Sequence, residues 1–212
     1  MQPLIIFGSG PHAQEMAEIV ALINRVAPTW DLLGFLVAGA QAEWVGKDLS
    51  GGTVLGTFDD VTRFPDVLFA PEYNATPCGF PRERLTSLVA PNVFVSTTAR
   101  IGRGSIIYPN SYVGLNAVVG DCCFVLSGSI INHDDVLEDH VTLASGVHIA
   151  GEVRVASGCY LGQSCTIRQK LFIGKDSLIG MGAVVTKDVL PNSVMIGNPA
   201  RRARDHYGEG SG

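Results

Sequence analysis

The chain has 212 residues, of which 46% are hydrophobic and 17% are charged, a balance typical of a folded globular protein. A formal net charge of −5, with Lys and Arg scattered along the chain, excludes an extended basic surface for nucleic acid. The first residues lack the basic and apolar regions of a signal peptide, and no apolar run approaches the ~18 residues that a transmembrane helix needs. We therefore expect a cytoplasmic protein with no membrane span.

Residues 1–88 have the pattern of a small α/β domain. The apolar run 4–7 predicts a buried strand, and a glycine turn follows it. A helix comes next, because apolar residues recur at helical spacing. Strands at 32–37 and 67–70 and a short helix around 82–88 complete this part. This order predicts a βαβ, Rossmann-like domain with a parallel sheet. The apolar positions of the helix are Met16, Ile19, Val20 and Ile23.

The turn after the first strand spells Gly8-Ser9-Gly10-Pro11-His12-Ala13, which matches the pattern G-x-G-x-x-[GA]. Backbone amides in such a turn can hold a phosphate at the start of a helix. A dinucleotide site also needs Asp or Glu about twenty residues later, after the second strand. Val37-Ala38-Gly39-Ala40 stands there instead, which disfavours a dehydrogenase. We predict that Gly8, Ser9, Gly10 and His12 contact an anionic substrate, with exposure to solvent as the alternative for His12.

A six-residue repeat dominates residues 89–190. Every sixth residue from Val89 to Val185 is Val, Ile or Leu, seventeen times in succession, and a mostly small residue stands four positions later. A period of six belongs neither to a helix nor to a single strand, and it is typical of a hexapeptide-repeat β-solenoid with three flat sides. At eighteen residues per coil we expect nearly six coils. Residues 191–212 are predicted to be a C-terminal tail with a frayed end.

The five cysteines do not indicate a disulfide framework. Cys123, Cys159 and Cys165 fall on the small-residue position of the repeat, where a thiol packs as a small apolar group. Cys78 and Cys122 have no C-x-x-C or histidine spacing around them. We therefore expect no disulfides, no zinc site and a reducing compartment.

One hexad departs from the repeat. It reads Ile131-Asn132-His133-Asp134-Asp135-Val136, and Asp135 occupies a position that is otherwise small or apolar. A carboxylate beside a histidine can orient the imidazole and stabilise its protonated form, as general-base catalysis requires. One coil later, Gly151 should lie against His133 and leave an open groove. We predict catalysis here, by His133 with either Asp134 or Asp135. His140, His148 and His206 are interpreted as solvent-exposed.

The combination of a glycine-turn βαβ domain, hexapeptide repeats and an embedded Asn-His-Asp resembles the sugar O-/N-acyltransferases of the sialic acid O-acetyltransferase type. This group includes the enzymes that acetylate UDP-linked 4-amino sugars. The closing segments, 179–188 and Gly197-Asn198-Pro199-Ala200, are also typical of hexapeptide acyltransferases. The resemblance implies an all-β left-handed parallel β-helix, a homotrimer, acetyl-CoA as co-substrate with no metal, and a role in surface glycan biosynthesis.

The resemblance also implies roles for single residues. His133 matches the general base, Asp134 its acidic partner, and Asn132 and Asp135 support them. The acetyl-CoA-binding positions implied are Gly151, Gly180, Met181, Gly182, Pro199 and Arg201. The turn from Gly8 to Ala13 matches the loop that holds the phosphates of the sugar nucleotide.

Three features depart from the family pattern. Thr142 stands where many relatives have a second histidine, and the acidic residue after the second strand is missing. The segment 69–74 lacks the glycine turn that is common after the third strand.

Two other functions remain open on the sequence. A γ-type carbonic anhydrase shares the solenoid but needs three histidines around a metal, and the spacing here differs. A non-catalytic scaffold or sugar-nucleotide-binding module would not be stabilised by coenzyme A.

Overall fold

The computed structural model describes residues 1–73, 75 and 79–203. The chain begins with a five-stranded sheet in the order β3-β4-β2-β1-β5, parallel except for the β3–β4 pair. Its elements are β1 (Gln2–Phe7), α1 (Pro11–Val26), β2 (Trp30–Val37), β3 (Asp48–Leu49), β4 (Gly52–Thr57) and β5 (Leu68–Pro71). Segments of 3-10 helix span Gly39–Trp44, with a kink at Gln41, and also Phe58–Arg63 and Arg82–Arg84.

The three predicted strands and α1 are present, with Pro11 at the first helical position. Strands β3 and β4 were not predicted, because the glycines of Gly52–Thr57 interrupt the alternation of apolar residues. The predicted helix around 82–88 is wrong in extent. Only Arg82–Arg84 is helical, because the backbone of Thr86 donates to Phe69 O (2.9 Å) and the chain here pairs with β5.

The predicted solenoid is confirmed. Its strands are two or three residues long and form three sheets, here called faces 1, 2 and 3. Face 1 contains β6 (Leu88–Val89), β9 (Ile106–Ile107), β12 (Phe124–Val125), β15 (Thr142–Leu143), β18 (Tyr160–Leu161), β21 (Leu178–Ile179), β23 (Val194–Ile196) and β24 (Arg201–Arg202). Face 2 contains β7 (Phe94–Val95), β10 (Tyr112–Val113), β13 (Ile130–Ile131), β16 (His148–Ile149), β19 (Thr166–Ile167) and β22 (Val184–Val185). Face 3 contains β8 (Arg100–Ile101), β11 (Val118–Val119), β14 (Val136–Leu137), β17 (Arg154–Val155) and β20 (Phe172–Ile173).

The small-residue positions form ladders inside the solenoid. The Ser129 hydroxyl donates to Ala144 O (3.0 Å), and Ser105 Oγ donates to Gly120 O (2.7 Å). The predicted burial of Cys123, Cys159 and Cys165 is confirmed, since each is at most 1% exposed. A hydroxyl or thiol here fills little space and satisfies a carbonyl that the corner would otherwise leave unpaired.

The corners carry a second six-residue period, which lies in the backbone conformation. One residue at each corner from 104 to 182 has a φ between 52° and 73°, in the left-handed region. Glycine, asparagine and aspartate tolerate this conformation best, and Asp134 belongs to the series with a φ of 59°.

Helix α1 packs on face 1, and the two parts of the chain share apolar core. Leu4, Met16 and Ile19 belong to the same buried cluster as Ile106 and Phe124 of the solenoid. The Tyr108 hydroxyl also donates to His12 O (3.3 Å). The division into domains at residue 88 stays a prediction.

The first part of the predicted tail continues face 1. Strand β23 pairs in parallel with β21, and β24 folds back antiparallel on β23 after a cis Asn198–Pro199 peptide bond. The predicted frayed end, with His206, lies outside the described residues, as does Cys78. Within the described residues, α1 is the longest helix, and no helix has the length and apolarity to cross a membrane.

Candidate active site

His133 and Asp134 form a pair at the corner that follows face 2. His133 Nδ1 lies 2.9 Å from Asp134 Oδ2, and both side chains are about half exposed, at 53% and 47%. Asn116, one coil earlier, donates through Nδ2 to Asp134 Oδ1 (3.0 Å). The carboxylate is therefore held between an amide and the imidazole. These two hydrogen bonds, that from Asn116 foremost, hold the pKa of Asp134 below its usual range.

Gly151 lies directly against the imidazole, as the eighteen-residue coil predicts. A methyl group built on Gly151 would lie 2.5 Å from His133 Nε2 and Cε1. No side chain larger than hydrogen fits there unless the imidazole moves. A backbone hydrogen bond from Glu152 N to His133 O (3.0 Å) fixes the register of the two coils. The ring edge that carries Nε2 thus faces bare backbone.

Asp135 points into the solenoid, away from the histidine. It is fully buried, and its carboxylate accepts from Asn132 N (2.7 Å) and Val153 N (2.8 Å). Burial raises the pKa of Asp135 to about 6, although the two amides favour the charged form. The sequence left open whether Asp134 or Asp135 contacts His133. In the structure Asp134 makes this contact, and Asp135 supports the corner from inside.

Asn132 holds the start of the same corner. Its Oδ1 accepts from the backbone amide of His133 (3.0 Å), while the backbone N–H of Asn132 donates to the Asp135 carboxylate. The predicted supporting residues therefore both bind backbone groups of the corner rather than the imidazole.

The other predicted acetyl-CoA contacts do not share this edge within one chain. Gly180, Met181 and Gly182 follow β21 of face 1, whereas His133 and Gly151 follow strands of face 2. Met181 is 76% exposed. Pro199 and Arg201 are exposed near the end of face 1, where Arg201 begins β24. Only Gly151 among these positions is brought to the histidine by the fold of a single chain.

The turn before α1 is occupied by the chain's own Glu72. Gly10 N donates to Glu72 Oε2 (3.3 Å), and the amides of Ser9 and Ala13 also favour the charged carboxylate. Burial, the larger effect, raises the pKa of Glu72. His12 Nδ1 lies 3.0 Å from Glu15 Oε2, so this ring contacts a carboxylate of α1.

A cleft of about 500 Å³ lies between α1 and the solenoid. His12, Glu15 and Glu18 line its helical side. Tyr108, Ser127, Ser145 and Tyr160 are among the residues on its solenoid side. His133 is not among its lining residues, so the cleft and the histidine lie at different edges of one chain.

His140 and His148 occupy the exposed positions predicted for them. His140 lies at a left-handed corner and His148 on face 2, both exposed. In the part of the chain that the structure describes, no three His, Cys, Asp or Glu side chains are grouped as a metal site would require.

Comparison with solved structures identifies the fold. The structure matches the acetyltransferase domain of PglB from Neisseria gonorrhoeae in complex with acetyl coenzyme A, with a TM-score of 0.82 and 24% identity, over 95% of this chain and 99% of that one. It matches a mutant of perosamine N-acetyltransferase from Caulobacter crescentus, in complex with CoA and GDP-perosamine, with a TM-score of 0.80 and 22% identity, over 97% and 98% of the two chains. The chain has the fold of the sugar N-acetyltransferases.

The curated relatives of this hexapeptide-repeat chain are acyltransferases as well. It is 28% identical over 142 residues to acyl-[acyl-carrier-protein]–UDP-N-acetylglucosamine O-acyltransferase of Agrobacterium fabrum, an alignment covering 50% of this chain and 52% of the relative. The chain thus spans about half the length of this curated relative. No protein-family model matches it.

Two contacts were not predicted from the sequence, one at the His133 corner and one at the turn before α1. Asn116 lies eighteen positions before Asp134, so the coil length that located Gly151 could also have located it. No sequence pattern indicated the contact of Glu72 with the turn, because Glu72 lies outside the repeat and is 62 residues from Gly10 in the chain.

Proposed function

We propose that this chain transfers an acetyl group from acetyl-CoA to an amino or hydroxyl group of a sugar. The observation that carries the proposal is the His133–Asp134 pair at an open corner, with the side-chain-free Gly151 beside Nε2. The likeness to acetyltransferases whose structures contain acetyl coenzyme A or CoA supports the choice of co-substrate.

The hydrogen bond to Asp134 assigns different tasks to the two imidazole nitrogens. Nδ1 carries a proton toward the carboxylate, which leaves Nε2 as the free base. As the acceptor amine or hydroxyl attacks the thioester carbonyl, Nε2 takes its proton, and the thiol of coenzyme A leaves with a proton returned by the imidazolium. Asp134 stabilises the imidazolium between these two transfers. Backbone amides at the corner are suited to stabilise the developing oxyanion.

A homotrimer of left-handed β-helices would complete the site. Gly151 leaves room beside the base for an acyl group, but Gly180, Met181 and Gly182 follow a different face of the same chain. A neighbouring chain can bring its own face-1 corner to the His133 edge, so that acetyl-CoA lies in a groove between two chains. Exposed apolar side chains on the solenoid, such as Leu115 (54%) and Met181 (76%), are consistent with burial in such an assembly.

The names of the relatives suggest an acceptor class. Their names specify UDP-N-acetylglucosamine and GDP-perosamine, which favours a nucleotide-linked sugar, such as a UDP-amino sugar, as the first class to test. A cytoplasmic role in the synthesis of surface glycans fits such an acceptor.

His133→Asn is the decisive variant. Asparagine cannot act as a general base, and we expect kcat with acetyl-CoA and a responsive amino sugar to fall by about 100-fold to 10,000-fold. Release of coenzyme A, measured with a thiol reagent, reports turnover. His140→Asn is the matched control, because asparagine tolerates the left-handed corner that His140 occupies.

Turnover by His133→Asn close to that of the wild type would remove His133 from the mechanism. A scaffold without activity would instead release no coenzyme A with any sugar and would show no rise in melting temperature with coenzyme A.

A further inference from the structure

Glu72 fills the space that a phosphate would need in the turn between β1 and α1. A Cβ atom on Gly10 would lie 2.6 Å from Glu72 Oε1, and one on Gly8 would overlap Oε2. Gly8 has a φ of 121°, which favours glycine. The missing side chains of these glycines therefore leave room for the Glu72 carboxylate. Its oxygens accept a hydrogen bond from the turn, whose backbone amides could otherwise bind an external anion.

The backbone of Glu72 is tied to the sheet, so its side chain is directed at the turn. Glu72 N donates to Phe7 O (2.8 Å), which extends the pairing of β5 with β1 by one residue. Ala75 N then donates to Glu72 O (2.9 Å) and turns the chain away from the sheet. Displacing the carboxylate from the turn requires a rotation of the side chain or a break in these bonds.

The surroundings of the turn are acidic as well. The cleft beside it contains Glu15 and Glu18 and, among the described residues that line it, no lysine or arginine. Glu15 and Glu72 both lie near enough to Tyr108 to raise the pKa of its hydroxyl, together with burial, the larger cause. A diphosphate brought here would meet the carboxylates of Glu15, Glu18 and Glu72, and among the described residues that line the cleft His12 is the one side chain able to carry a positive charge.

We propose that Glu72 is a specificity-determining residue: it excludes phosphate from the turn before α1, so that the chain selects acceptor sugars that bring no diphosphate to this site. This inference rests on the proposed acetyl transfer, and it replaces the nucleotide-linked acceptor that the names of the relatives suggest with a sugar in free or glycosidic form. The carboxylates of Glu15 and Glu18 add to the repulsion that a nucleoside diphosphate would meet from Glu72.

Binding tests the proposal without any turnover. Isothermal titration with UDP and with inorganic pyrophosphate is expected to give no saturable binding at millimolar concentration for the wild type. Glu72→Ala removes both charge and bulk, and we expect its affinity for UDP and pyrophosphate to rise by at least about tenfold. Glu72→Gln removes only the charge and should gain less. Glu43→Ala, an exposed glutamate elsewhere in the α/β part, is the control.

Turnover provides the second readout. A UDP-linked amino sugar and the methyl glycoside of the same sugar are compared as acceptors, with circular dichroism to verify that each variant is folded. We expect Glu72→Ala to raise kcat/KM for the UDP-linked form relative to the glycoside by at least about tenfold, through a lower KM.

Two results would overturn the proposal: saturable UDP or pyrophosphate binding by the wild type as tight as by Glu72→Ala, or no binding by either. Saturable binding of UDP or pyrophosphate by the wild type at millimolar concentration already contradicts the expected absence of binding, so a Glu72→Ala variant that fails to fold does not protect the proposal. Failure of the proposed acetyl transfer would look different from failure of the Glu72 proposal. It would appear as unchanged turnover in His133→Asn, or as no turnover with either acceptor, whatever the titrations give.

Discussion

At the scale of single residues, the corner after face 2 depends on three side chains and on the absence of a fourth. His133 and Asp134 supply a base and its partner, and Asn116 fixes the carboxylate from the coil before. Gly151 contributes through the absence of a side chain beside Nε2. A general base needs both a defined orientation and an open approach to its free nitrogen, and these four residues provide the two conditions.

Gly151→Ala tests the open approach. The added methyl would lie 2.5 Å from Nε2, so the imidazole must rotate away from the position that Asp134 holds. We expect kcat/KM for acetyl transfer to fall on the order of 100-fold, as small misplacements of reacting groups do.

Gly39→Ala is the matched control, because no atom lies within 4 Å of a Cβ built there. Equal losses in the two variants, or an unchanged kcat/KM in Gly151→Ala with a folded protein, would contradict this account of the groove.

At the scale of elements, the active-site corner is a variation on the internal ladder of the solenoid. Ser105 Oγ accepts from the amide of Cys123, eighteen residues later, and Asp135 accepts in the same way from Val153 N. Asp135 uses its second oxygen for Asn132 N, which a serine could not reach at the same time. The carboxylate thus links two coils and the start of the catalytic corner, at the expense of burying an ionisable group.

The buried carboxyl of Asp135 makes stability depend on pH. Its pKa is raised from 3.8 to about 6 in the folded chain, so the folded state binds more protons between these values. Stability is therefore expected to fall as pH rises from about 4 to about 6, by on the order of 3 kcal/mol.

Asp135→Asn is expected to remove this pH dependence. It should also lower the free energy of unfolding by about 1–3 kcal/mol, because the NH2 group of the new asparagine cannot accept a hydrogen bond from a backbone amide. Denaturant unfolding from pH 4 to pH 7 measures both effects. Asp176→Asn, at an exposed corner of the same left-handed type, is expected to keep the wild-type slope. Parallel curves for the wild type and Asp135→Asn would refute the assignment.

At the scale of the whole molecule, the α/β part and the solenoid depend on a common core. Phe124 of face 1 is 3% exposed and packs in one cluster with residues of β1 and α1. Its ring also lies 5.4 Å from that of His12 and 5.4 Å from that of Tyr108. This packing sets the position of α1 over face 1 and therefore the shape of the cleft.

Phe124→Ala is expected to lower the free energy of unfolding by about 3–5 kcal/mol and to widen the cleft. Phe172→Ala, at a 42% exposed position of face 3, should lower it by less than about 1 kcal/mol. Thermal or denaturant unfolding compares the two variants. Similar losses for both would mean that the junction between the two parts is not a packed core.

The sequence determined the periodic half of this protein. Solenoid contacts repeat every eighteen residues, so a short-range pattern specifies long-range neighbours, and Gly151 could be placed against His133 by counting. The same count reaches Asn116. The internal aliphatic ladder and the buried cysteines also follow from the period alone.

The remaining contacts depend on three-dimensional packing that no period in the chain encodes. The left-handed conformation at residue 134 turns Asp134 outward to the histidine and Asp135 inward, a choice that strand alternation could not make at a corner. The contact of Glu72 with the glycine turn, and the seat of α1 on face 1, join residues far apart in the chain. No period relates them, since their proximity depends on how the sheet and the solenoid pack together.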